Sequence, residues 1–245
     1  MPLPLLIAVQ FLTRLPVRLP GMPVAEQVGR SLLWYPLVGA LIGLLLVAAH
    51  LLLAGTPALL QAALLLALWV ALSGGLHLDG LADSADAWVG GFGDKERTLM
   101  IMKDPRSGPI AVVVLVLLLL LKFAALVALL QAGEGGLLLL VPWLARGLLP
   151  LLFFCTPYVR AGGLGQALAE HLPRQQLPWV LALHGGLLLL IGGGSAVLAL
   201  LVAALVFLWL RRLMRQRLGG TTGDTAGALL EIAECAVLVA LAIAP

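Results

Sequence analysis

The chain has 245 residues, is 62% hydrophobic and only 11% charged, and has a mean hydropathy of +1.09. A soluble domain would carry about 25% charged residues, so composition excludes an ordinary soluble protein and points to an integral membrane one. The net charge of +3 arises from few charges of either sign and leaves no footprint for nucleic acid.

Residues 3–12 are apolar but too short to cross a bilayer, which predicts an interfacial or re-entrant helix. No basic segment precedes that run, so a cleavable signal peptide is not expected. Seven later runs are candidates for crossing: 32–54, 57–75, 109–131, 136–155, 177–192, 195–210 and 222–244. The fifth and sixth are short and predict a tight hairpin hinged at Gly192, Gly193 and Gly194. Pro57 and Pro109 suit first helical turns, and Ser107 suits a cap before the third span. Gly39 and Gly43 form a small-xxx-small pair that permits close helix packing. Cys155 and Cys235 lie in apolar stretches and read as packing residues. The expected fold is an all-α, polytopic membrane bundle of about seven transmembrane helices plus the short N-terminal helix. It forms one domain over residues 1–245.

Outside the spans, Lys and Arg fall only in alternate loops, before the first span and then after every second one. The opposite loops carry none, and their one acidic residue is Glu134. The positive-inside rule therefore places the basic loops in the cytoplasm. Three polar islands share that side: 73–94, 102–109 and 218–234.

The first island reads SGGLHLDGLADSADAWVGGFGD. Asp79, Asp83 and Asp86 recur at steps of four and three residues, on one helix face. Like charges so placed repel, and hard divalent cations such as Mg²⁺ prefer carboxylate oxygens, with phosphate in their shell. The alternative is a solvated helix face. His77 lies off that face, as a general base or an ordinary hydrogen-bonded histidine. In the second island, Lys103 and Arg106 suit a phosphate and Asp104 offers a further carboxylate. In the third, Thr221, Thr222 and Gly223 open a helix whose amides can meet an anion, followed by Asp224, Glu231 and Glu234.

Lys122 and Arg146 lie inside apolar spans, at a cost of about 2.5–3.5 kcal/mol each if unpaired at the bilayer centre. One or both should contact a glutamate of the seventh span, and Arg146 alternatively reaches a substrate phosphate. His50 and His184 have no metal-ligand spacing and read as structural.

FLTRLPV, YPLVGALIG, GGLHLDGLADSADAW, KDPRSGP and GGTTGDTAGALLE, in that order, resemble the cobalamin synthase (adenosylcobinamide-GDP ribazoletransferase) family. The likeness covers nearly the whole chain; the aspartate-rich and GGTTGD motifs are its specific parts. It implies a Mg²⁺-dependent inner-membrane enzyme with a cytoplasmic active site. The implied reaction joins adenosylcobinamide-GDP to α-ribazole or its 5′-phosphate and releases GMP, late in cobalamin synthesis. On that footing Asp79, Asp83, Asp86 and Asp224 hold metal. Asp104, Asp224 and His77 are candidates for proton transfer. Lys103, Arg106, Thr221, Thr222, Gly223, Lys122 and Arg146 are candidates for phosphate or substrate. Two other readings are a CDP-alcohol-type phosphotransferase of phospholipid synthesis and an ion-coupled transporter. The sequence leaves homo-oligomerisation open.

Overall fold

A computed structural model describes residues 2–162 and 165–244, and every regular element among them is helical. Helix α1 covers Leu3–Leu12. α2 (Ala25–Ser31) runs through one 3-10 turn into α3 (Tyr35–Leu52). α4 (Ala58–Ser73), α5 (Leu76–Gly90), α6 (Lys95–Ile101) and α7 (Pro109–Gln131) follow. The chain closes with α8 (Leu140–Cys155), α9 (Gly165–Glu170), α10 (Leu177–Leu218) and α11 (Gly223–Ile243).

Five helical stretches are long and apolar enough to cross a membrane: Ala25–Leu52, Pro109–Gln131, Gly135–Cys155, Leu177–Leu218 and Gly223–Ile243. α4 and α5 qualify only as a pair, bent by 87°. The bend falls at Gly74 and Gly75, whose φ values of 63° and 71° lie in the left-handed region that glycine enters without a Cβ clash. The 57–75 run is therefore a helix that breaks at its end, and the polar stretch after it is itself helical.

α10 would be about 63 Å long if straight. Its two ends nevertheless meet the same end of α8. Arg174, just before α10, donates to the Phe154 carbonyl, and Arg211, towards its far end, donates to the Cys155 carbonyl. The chain reverses at Gly193, where φ is 50° and ψ is −127°. Arms 177–192 and 194–218 are thus the expected hairpin. Counting them separately, with the bent pair as one crossing, reconciles the fold with the expected seven.

One apolar cluster runs from Ala8 to Leu241 and joins α1, α3, α4, α7, α8, α10 and α11. The α3–α8 contact depends on Gly39 and Gly43: a Cβ at either would strike backbone of α8 or of the turn before it, at Pro142 and Leu139. Lys122 sits within this interior, 2.6 Å from Glu231 and 2.7 Å from Glu234, with its ammonium 5.0 Å from the Trp69 ring centre. Arg146, completely buried, pairs with Glu234. Both expected intramembrane pairings are present. His50 bonds Gln61, and His184 accepts from the Trp143 indole, so both histidines serve structure.

The start of α7 differs from expectation. Gly108, not Ser107, precedes its first turn, and no side chain of that residue caps it. Asp86 of α5 supplies the cap, accepting from the Gly108 amide at 2.5 Å and the Ala111 amide at 2.9 Å. A carboxylate there satisfies amides that the helix leaves unpaired and complements its dipole.

Lys122→Met leaves Glu231 unpaired among apolar helices. Breaking a buried ion pair in this way costs about 3–5 kcal/mol. The expected result is a large fall in the thermal midpoint of the purified protein in detergent. Adding Glu231→Leu to Lys122→Met should recover part of it.

Candidate active site

Three segments meet at one end of the bundle. α5 brings Asp79, Asp83 and His77. The first turn of α11 brings Gly223 and Asp224. The loop after α8 brings Tyr158 and Arg160. That loop is tied to α11 by backbone bonds: the Thr221 amide donates to the Pro157 carbonyl and the Val159 amide to the Thr221 carbonyl, both at 2.9 Å. α5 lies hard against α11 because Gly80 and Gly227 have no side chains. A Cβ at Gly80 would come within 3.0 Å of the Asp224 Cα, and one at Gly227 within 3.2 Å of the His77 carbonyl oxygen. The two glycines thus set the spacing of the acidic residues.

Asp79, Asp224, His77, Tyr158 and Arg160 line a cavity of about 350 Å³. Asp83 is within electrostatic reach of Asp79, Asp224 and Asp86, and of one cation, Arg160. Arg160 pairs with Asp224 and is one-quarter exposed. Burial raises the pKa of the Tyr158 phenol, which therefore stays protonated as a donor near neutral pH. A more open groove of about 390 Å³ adjoins the cavity across Phe153, Tyr158 and Arg160 and carries Arg174 on its wall.

The remaining predicted residues take other places. Asp86 joins the acidic group electrostatically, but its two oxygens face the α7 amides. Thr221 and Thr222 are wholly buried. The Thr222 hydroxyl caps α11, accepting from the Thr225 amide and donating to the Met102 sulfur, while the Thr221 hydroxyl meets that of Thr225. Both hydroxyls hold the helix entry together; of the GGTTGD stretch, Gly223 and Asp224 reach the cavity. Lys122 and Arg146 are enclosed by their glutamates and lie outside the cavity lining. Asp104 forms a two-point pair with Arg106, whose hydrogen bonds hold the carboxyl below the usual carboxylate range. Lys103 and Arg106 are exposed on the turn before α7, away from the cavity lining. The second island still meets the others, through Gly108 on Asp86 and Met102 on Thr222.

The model for the family described as cobalamin-5-phosphate synthase matches residues 4–242. The chain belongs to that family. It is 74% identical over 237 residues to an adenosylcobinamide-GDP ribazoletransferase of Ectopseudomonas mendocina, covering 97% of both chains. A protein of the same name from Pseudomonas aeruginosa is 71% identical over 239 residues, 98% of this chain and 97% of its own. One from Pseudomonas fluorescens is 67% identical over 241 residues, 98% and 99% of the two chains. No solved structure matches significantly.

Among the residues lining the cavity, Arg160 and Tyr158 are not singled out by the sequence. Arg160 counted only as one more basic loop charge. The available signal was its setting in CTPYVRAGG, a short segment with glycines directly after a span, on the same side as the acidic islands.

Asp86→Asn keeps one acceptor and loses the charge at the start of α7. Losing a cap costs about 1 kcal/mol. The expected outcome is a modest drop in thermal midpoint with an unchanged Mg²⁺ requirement for activity. A shifted Mg²⁺ titration would instead place Asp86 in the metal shell.

Proposed function

We propose that this chain transfers the cobinamide-phosphate group of adenosylcobinamide-GDP to α-ribazole or its 5′-phosphate, releasing GMP. It acts in the inner membrane with its site facing the cytoplasm. The observation that carries the reading is the meeting of Asp79 and Asp224 with Arg160 around one cavity, with Asp83 in electrostatic reach of all three, in a chain of this family. Alternation of basic loops supports the orientation.

The chemistry is an exchange at phosphorus. A ribose hydroxyl oxygen bonds to the phosphorus that carries cobinamide. The anhydride bond to GMP breaks, and GMP leaves with the electron pair. The hydroxyl proton passes to a carboxylate. Such a transfer depends on charge neutralisation and in-line placement more than on covalent catalysis.

The donor set fits a divalent cation. Three carboxylates offer hard oxygens, and among the described residues Arg160 alone offsets their charge locally. No group of three acidic, histidine or cysteine side chains among the described residues already stands close enough to hold an ion, so the carboxylates adjust on binding. Asp79, Asp83 and Asp224 would hold Mg²⁺, which supplies charge neutralisation across the diphosphate. Arg160 binds phosphate oxygens once substrate competes for it, releasing Asp224 to take the hydroxyl proton. Tyr158 donates to the phosphate from the cavity wall.

Asp83→Asn should lower GMP release from adenosylcobinamide-GDP and α-ribazole by about 100-fold or more, the scale at which one electrostatic group in a phosphotransfer site acts. Its thermal midpoint should hold. Chelation of Mg²⁺ should abolish turnover, and re-addition should restore it. Full activity of Asp83→Asn would overturn the metal assignment. Activity with CDP-activated lipid in place of the cobinamide substrate would overturn the reaction.

A further inference from the structure

The cavity has two chemically distinct ends. Its rim carries Asp79, Arg160 and Asp224. Its inner wall is formed by Phe11, Tyr35, Leu149, Phe153 and Leu168, from four separate helices. Phe11 and Tyr35 stack with ring centres 6.3 Å apart. A diphosphate needs none of this apolar surface. A volume of about 350 Å³ lies near the lower end for small-molecule sites. It is ample for a nucleoside and far too small for a corrinoid with its side chains and guanosine.

His77 adds the second observation. It lines this cavity, is only 4% exposed, and its Nδ1 atom has no hydrogen-bond partner among the described residues. A buried polar atom without a partner is costly, so a ligand that supplies one gains both affinity and selectivity. A benzimidazole riboside matches both features. One ring nitrogen bears the ribose; the other is a lone-pair acceptor on an otherwise apolar, flat base.

We propose that this cavity is the acceptor subsite, with the benzimidazole base against the aromatic wall, its free ring nitrogen accepting from His77, and its ribose at the acidic rim. The proposal rests on the transfer reaction above and adds where and how the acceptor is held. His77 is then a positioning group for the acceptor's base. The larger donor stays outside the cavity, on the open side of Arg160, with only its diphosphate at the shared rim.

The first test narrows the cavity with Leu168→Trp and, independently, Leu149→Phe. Each should raise KM for α-ribazole by about tenfold or more, the scale of a lost apolar fit. KM for adenosylcobinamide-GDP should stay within about twofold. A rise in the donor's KM alone, or no change in either, overturns the proposal.

The second test uses the indole analogue of the nucleoside, which lacks the acceptor nitrogen. Equilibrium dialysis of the purified protein against each nucleoside measures binding without turnover. The natural sequence should prefer benzimidazole by about tenfold or more, and His77→Leu should remove that preference. An equal preference in both proteins overturns the His77 contact. Because binding is read without catalysis, nucleoside binding in a preparation that releases no GMP would count against the reaction and not against the subsite.

Discussion

A buried set of four charges fixes the relation of the helices that build the site. Lys122 of α7 and Arg146 of α8 both reach Glu234 of α11, and Lys122 also reaches Glu231. In apolar surroundings each of these groups alone is costly, so the three helices share one register in which all four are paired. Apolar packing could not impose that choice. Leucine-rich faces slide or rotate against one another with little penalty, whereas a displaced ammonium leaves two carboxylates exposed to hydrocarbon. Once α11 is set, Asp224 lies in its first turn, opposite α5.

α5 then supplies the opposing carboxylates, and its own placement depends on what it lacks. The double glycine before it turns the chain by 87° relative to α4. Gly80 and Gly227 bring the α5 and α11 backbones together, so that carboxylates from both helices face one space. Asp86, further along α5, anchors the start of α7 and returns a third helix to the same register. The acidic face thus has a division of labour along its length. Its far end holds the scaffold, and its near end faces the cavity.

Much of this was legible in the sequence, and for identifiable reasons. A lysine inside VVVLVLLLLLKFAALVALL admits few explanations, so its pairing with Glu231 or Glu234 followed from cost alone. Gly39 and Gly43, the hairpin at Gly192–Gly194 and the shared face of the aspartates followed from spacing. What spacing could not reveal was which polar groups would be used up by the backbone. Thr221 and Thr222 look like ligands for an anion, yet the helix they open takes their hydroxyls. Asp104 looks like a further carboxylate for the site, yet Arg106, two residues on, holds it. Each of these is satisfied by a near neighbour, and linear proximity says nothing about which of several polar partners a side chain will choose. Arg160 is the converse case. Its partner, Asp224, lies 64 residues away, so only the fold brings them together.

The site's position also bears on why a chain that handles water-soluble substrates is built from membrane helices. Its carboxylates stand at one end of a close-packed apolar bundle, and the cavity behind them is walled by aromatic and aliphatic side chains from α1, α3, α8 and α9. Such a wall needs rigid helices on several sides, and here the bundle supplies them. Partial burial of Asp83 and Asp224 strengthens the charge interactions they make, both repulsion from neighbouring aspartates and attraction to Arg160. With Arg160 as the local counter-charge, the cluster keeps an excess of negative charge at a place where charge is expensive. On the proposed reading, that excess is what would draw a cation, and with it a diphosphate, to the rim. A bundle held in register by buried ion pairs resists spreading to relieve that repulsion, so the carboxylates of α5 and α11 stay gathered at one end of it.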